Sequence, residues 1–221
     1  MNNKITFLSA VAAFAFSAAM TQGLEVFNFA NLAGASMQFN GTASSFQFDD
    51  NPSTGNQWSI TGESGGTGSA LTLDGWFTGG PWSYGAITVN GALQSATVNP
   101  PSATLTINDG AGHLATASVA WVDISTYYGV GGLNGNLAVN LSGLSYSGTN
   151  PDLSSFFSAP GGVLSLSFQF NPAETLSQLS AGTGPYDTSF NGSLTPVPEP
   201  TSLLIFGMGF MLLGRRVFFK R

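Results

Sequence analysis

From Leu24 to Thr195 the chain alternates apolar with small polar residues at period two. Val163-Leu164-Ser165-Leu166-Ser167-Phe168-Gln169-Phe170 is the clearest run: Leu164, Leu166, Phe168 and Phe170 fall on one face. This is the pattern of a half-buried strand with one face on a core. Ile87-Thr88-Val89, Thr104-Leu105-Thr106-Ile107 and Leu137-Ala138-Val139-Asn140-Leu141 repeat it, and Leu71-Thr72-Leu73 runs on to Trp76-Phe77. Further short runs cover Leu24 to Ala30, Ser36 to Asn40, Ser45 to Phe48, Gln57 to Thr61, Leu93 to Val98, Ala115 to Ile124 and Phe190 to Leu194. Asn108-Asp109-Gly110-Ala111-Gly112 predicts a hairpin turn, and Gly79-Gly80-Pro81, Asn90-Gly91-Ala92 and Ala159-Pro160-Gly161-Gly162 predict further turns. About ten to twelve strands at this spacing predict an all-β domain of stacked antiparallel sheets, a sandwich or a jelly roll. Two short helices are expected, over Asp152 to Phe157 and Ala173 to Leu179, the second with Pro172 and Glu174 at its start.

Both ends break this pattern. Met1 to Lys4 is a short basic segment, Ile5 to Met20 is almost wholly apolar, and small residues follow. That order predicts a secretory signal peptide over residues 1–23, cut after Ala19 or after Gly23. At the other end, Pro198-Glu199-Pro200 precedes the apolar stretch Thr201 to Gly214 and then Arg215-Arg216. An apolar segment closed by basic residues predicts a membrane span with its charges on the cytoplasmic side. As a helix this stretch is about 21 Å long, short of a ~30 Å hydrocarbon core unless Val217 to Phe219 join it.

This end resembles the PEP-CTERM sorting signal of Gram-negative bacteria. Pro198, Glu199 and Pro200 match the tripeptide, Ser202 to Leu213 the span, and Arg215 and Arg216 the basic stop. The resemblance implies that a membrane-embedded exosortase processes the chain, for release or for attachment at the cell surface. Signal peptidase and the secretion machinery would act before it, with a transient anchor in the inner membrane. The domain organisation expected is therefore a signal peptide at 1–23, a β domain at 24–195 and a sorting signal at 196–221.

Charge narrows the roles of the middle domain. The basic residues Lys4, Arg215, Arg216, Lys220 and Arg221 all lie at the ends, and ten carboxylates stand between Leu24 and Thr195 with no Lys or Arg among them. A nucleic acid is thereby excluded as partner, since phosphate contacts depend largely on Lys and Arg. Cysteine is absent, which removes thiolate catalysis and Cys-based metal sites.

Candidate chemistry is sparse. Gly62-Glu63-Ser64-Gly65-Gly66 fits the G-x-S-x-G pattern of a nucleophile elbow, but no helix is expected after it and His113 is the sole histidine. No cofactor is expected beyond structural calcium, for which Asp49, Asp50 and Asn51 form the best local set of oxygen ligands and Asn108-Asp109 the second. Trp76, Trp82 and Tyr84 are candidates for stacking on sugars. The competing arrangement puts Trp58, Trp76 and Trp121 in the core and Trp82, Tyr84 and Tyr127 over loops. The sequence thus favours a non-catalytic structural or adhesive component of the cell surface, matrix or biofilm, with exopolysaccharide as a possible partner. A carbohydrate-binding module and a secreted hydrolase are the alternatives.

Overall fold

A computed structural model describes residues 25–99, 102–128 and 135–197. The residues expected to form the signal peptide and the membrane span, with Pro198-Glu199-Pro200 and Arg215-Arg216, lie outside the described residues. Among the described residues, no helix is long and apolar enough to cross a membrane.

Among the described residues, thirteen strands and two short helices follow one another. They are β1 (Val26–Asn31), β2 (Ser36–Asn40), β3 (Ser45–Asp49), β4 (Trp58–Ser64), β5 (Asp74–Thr78), β6 (Trp82–Tyr84), β7 (Thr88–Asn90), β8 (Leu93–Asn99), β9 (Ser102–Asn108), β10 (Leu114–Tyr127) and β11 (Gly135–Ser145). Helix α1 (Pro151–Phe157), β12 (Gly161–Gln169), α2 (Leu176–Ala181) and β13 (Pro185–Val197) complete the domain. The expected antiparallel all-β class is what folds. The strands are hydrogen-bonded as one continuous sheet, however, and not as two separate ones.

The reason lies in two long strands that each serve two neighbours along one edge. β10 pairs with β9 through Ala120 and with β8 from Asp123 onward. β13 pairs with β2 over Pro185 to Thr188 and with β1 over Asn191 to Leu194. The ladder consequently closes twice. One circuit is β1-β4-β5-β9-β10-β11-β12-β13, and the other is β10-β11-β12-β13-β2-β3-β6-β8, each of eight strands. Closure leaves few open edges to recruit another chain.

The change of partner on β10 coincides with a bulge. Ala115, Ala117, Val119 and Trp121 are buried, then the register shifts between Trp121 and Asp123, and Ile124 and Thr126 become the buried set. One extra residue, the exposed Val122, reverses the pleat and turns the strand from one circuit into the other.

The core is aromatic. Phe46, Phe48, Phe77, Trp82 and Trp121 meet at ring centroids 4.8 to 6.3 Å apart, in tilted, stacked and edge-on geometries. Three aromatics lie over glycines directly across the ladder. Trp58 faces Gly75, Phe29 faces Gly192 and Phe168 faces Gly135, and a Cβ at any of these glycines would collide with the ring. The ring takes the place of the missing side chain and covers the backbone there.

The helices begin where their caps dictate. Asn150 Oδ1 accepts from Asp152 N and Leu153 N, with Pro151 as the first helical residue of α1. The second helix starts at Leu176, not at Ala173 as the proline and glutamate suggested. Thr175 and Gln178 form a capping box there. Leu176 N and Ser177 N donate to Thr126 Oγ1 and Gln94 Oε1, so the body of the sheet completes the cap. The sheet also runs past the expected boundary at Thr195, because Pro196 and Val197 still pair with Gly162 and Gly161.

Candidate functional site

The site that the fold assembles is made of carboxylates distant in sequence. Glu25 precedes β1, Glu63 lies near the end of β4, and Asp152 sits in the first turn of α1. One oxygen from each lies within 4.8 Å of the other two. The Gly-rich segment from Gly65 to Ser69 wraps them.

Asp152 anchors that wrap. Its Oδ1 accepts from Thr67 N and Thr67 Oγ1, and its Oδ2 from Ser69 N and Ser69 Oγ, at 2.6 to 3.0 Å. Burial would raise its pKa, but the hydrogen bonds from Ser69 and Thr67 outweigh it and hold the carboxyl well below the ordinary range. Glu63 holds the same segment from the other side. Its Oε1 accepts from Gly68 N at 2.8 Å and its Oε2 from Ala70 N at 3.3 Å.

Glu25 is different. It is 4% exposed, and its Oε1 is buried without a hydrogen-bond partner. Burial pushes its carboxyl up to about 7; a hydrogen bond from Ser155 offsets part of that, while the charges of Asp152 and Glu63 add to it. Gly66 passes directly over the cluster, where a Cβ would collide with both Glu63 Oε1 and Glu25 Oε1.

Within the G-x-S-x-G segment, the residues that meet the cluster are Glu63 and Gly66. Ser64 is exposed at the end of β4, and a glycine-rich loop follows it. His113 is bound at Nδ1 to Asp109 Oδ2 at 3.0 Å across the β9–β10 hairpin, with its side chain 46% exposed.

The residues singled out for calcium carry local hydrogen bonds. Asp49 Oδ1 accepts from Gln47 Nε2 at 2.8 Å and Asp50 Oδ1 from Gln57 Nε2 at 2.9 Å. Asn51 Oδ1 accepts from Ser53 N and Thr54 N, closing a turn, while its amide donates to Ala33 O. Asn108 and Asp109 close the β9–β10 hairpin in the same way. Among the described residues, the grouping of three acidic side chains is Glu25, Glu63 and Asp152. Glycine density around Glu63 was the one signal of it in the sequence.

The aromatic candidates separate. Trp82 is 1% and Tyr84 5% exposed, Tyr84 with its hydroxyl bonded to Ser180 Oγ. Both belong to the core, Trp82 in the place that Trp76 was expected to fill. Trp76 is only half-buried and lines an open cleft of about 460 Å³ together with Gln47, Asp50 and Gln57.

Comparison with known proteins locates a second site by sequence. The family model of the PEP-CTERM protein-sorting motif matches residues 196–221. No curated protein and no solved structure matches the chain. The matched segment includes Pro198, Glu199, Pro200, Arg215 and Arg216, and it overlaps the last two residues of β13. Residues 196–221 thus carry a PEP-CTERM protein-sorting motif, which suggests an exported protein directed to an exosortase.

Proposed function

We propose that this chain is exported, held briefly in the inner membrane by its C-terminal span, processed by exosortase, and then serves outside the cell as a structural or adhesive component of surface or matrix. The match at 196–221, directly behind a closed β domain, carries this reading. The domain's make-up supports it. It has no Lys or Arg between Leu24 and Thr195, so proteases that cut after those residues find no site in it. A surface rich in Ser, Thr and Asn can bond polysaccharide hydroxyls without a deep pocket. Fractionation of cells producing the chain, with and without residues 196–221, tests it. Processed protein should appear at the surface or in the matrix only when the segment is present. A chain that stays in the cytoplasm would overturn the reading.

A second reading rests on Trp76. A half-exposed indole beside Gln47, Asp50 and Gln57 in an open cleft is a surface on which a sugar ring can stack while its hydroxyls bond the amides and the carboxylate. Affinity electrophoresis in gels containing the host's exopolysaccharide tests it. Retardation that is lost in Trp76→Ala is the expected result.

A further inference from the structure

We infer that Glu25, Glu63 and Asp152 form a site for a divalent cation of the calcium type. Three carboxylates from three separate elements converge to within 4.8 Å. Calcium takes oxygen ligands at about 2.3–2.6 Å, so oxygens on opposite sides of the ion stand about 4.6–5.2 Å apart. Oxygens that all lie within 4.8 Å of one another are close enough to share one such shell. Magnesium sheds its waters reluctantly and is seldom held by an all-protein cage, so calcium is the better match to a set of three side-chain carboxylates.

The second observation is the orphaned oxygen. Among the described residues, three buried side-chain polar atoms lack a partner: Trp58 Nε1, Trp121 Nε1 and Glu25 Oε1. An unpaired indole N–H is a modest loss, whereas an unpaired carboxylate oxygen in the interior is a severe one. Glu25 Oε1 and Glu63 Oε1 both lie against Gly66, in space that any side chain at that position would fill.

No cationic side chain in the domain can supply the missing positive charge. No Lys or Arg occurs between Leu24 and Thr195, and the lone histidine is committed to Asp109. Beyond protonation of the carboxyls, the counter-charge has to come from a cation in solution. One divalent cation would offset most of the charge of three carboxylates. Glu63 is already oriented by Gly68 and Ala70, while Asp152 is held by Thr67 and Ser69 and would ligate the ion by giving up one of its hydroxyl donors. The bound ion would tie the start of β1 to the end of β4 and to α1. Since those elements meet only in the folded domain, binding would stabilise folding directly.

The test uses the full chain, purified in mild detergent and stripped with a chelator. Thermal unfolding and calorimetric titration are measured with calcium chloride, with magnesium chloride, and with sodium chloride at matched ionic strength. The salt control matters because an acidic domain gains some stability from screening alone. The expected result is saturable calcium binding in the range of extracellular modules, roughly 10⁻⁴–10⁻³ M. The unfolding midpoint should rise by several degrees, and magnesium should do markedly less. In Glu63→Gln the calcium affinity should fall at least about tenfold. Glu25→Gln should unfold at a higher temperature than the parent without calcium, since it removes a buried unpaired charge, and should gain nothing from calcium. A calcium response no larger than that of matched sodium chloride would overturn the site. So would a Glu25→Gln variant that responds to calcium as the parent does.

Discussion

Ser69 Oγ donates a 2.7 Å hydrogen bond to Asp152 Oδ2 across 83 positions of sequence. With Thr67 it makes Asp152 the peg on which the glycine-rich loop hangs. Asp152→Ala should therefore cost about 3 kcal/mol at neutral pH, the scale of losing several charge-assisted bonds in a buried setting. Asp152→Asn should cost less, because its remaining oxygen still accepts one pair of bonds and its shape fills the site, although its NH2 then faces the other pair of donors. Urea unfolding monitored by tryptophan fluorescence gives both values. Amide exchange at Thr67 and Ser69 should rise in both variants.

The β9–β10 hairpin predicts an acid response of its own. Burial would raise the pKa of Asp109, but bonds from His113 N, Tyr146 Oη, Ala111 N and the His113 ring together lower it to about 2. A carboxylate whose pKa is lower in the folded state stabilises the fold above its unfolded value of about 3.9. That stability drains away as pH falls from about 4 towards 2. Tyr146→Phe removes the 2.8 Å bond to Oδ2 and should move the loss to higher pH. Titration of the Asp109 carboxyl by NMR, with melting curves between pH 2 and pH 6, checks the direction.

Glycines under aromatic rings predict a sharp positional contrast. At Gly75 a Cβ would drive into the Trp58 ring, whereas at Gly85 it would meet Thr97 O and Asn99 Nδ2 at ordinary distances of 3.7 and 3.9 Å. Gly75→Ala should cost about 1–3 kcal/mol as an overpacked core, and Gly85→Ala close to nothing. Equal urea midpoints for the two variants would contradict the ring-on-glycine packing.

These glycines also mark where the sequence stops informing. The alternation of Leu164, Leu166, Phe168 and Phe170 was readable because one face of β12 is buried throughout. The same holds for Ser36 to Asn40, whose limits coincide with β2. Strand β6 was not readable, since Trp82-Ser83-Tyr84 is too short to show a period between its flanking glycines. The bulge after Trp121 left no local mark either, because only the ladder on both sides of β10 reveals it. Glu25, Glu63 and Asp152 were each visible as acids, but their meeting depends on the path of three distant segments. Period-two patterning reports which face of a strand is buried and is silent on which strands become neighbours. The sorting motif was legible for the opposite reason, because its parts lie in order along a short stretch of chain.

The last pair of the sheet joins Gly161 to Val197, and Pro198-Glu199-Pro200 follows at once in the sequence. The sorting motif thus begins where the ladder ends, and an enzyme acting on the tripeptide works close to a paired strand. If the tripeptide is what that enzyme reads, Glu199→Ala should leave full-length protein in the membrane fraction. If Arg215 and Arg216 hold the span in place, neutral residues at both should do the same, since basic residues keep that side of a span in the cytoplasm. Trypsin supplies the readout. From Glu25 to Val197 it has no residue to cut after, so the β domain survives exhaustive digestion whether folded or not. The full-length form alone is shortened at Arg215 and Arg216. For the parent and the Glu199 variant, a digested sample that changes size on a gel is unprocessed, and one that does not has already lost its tail; the Arg215/Arg216 variant, which lacks those cut sites, is read from its intact mass instead. Normal processing of the Glu199 and Arg215/Arg216 variants would reduce this end to a plain membrane anchor.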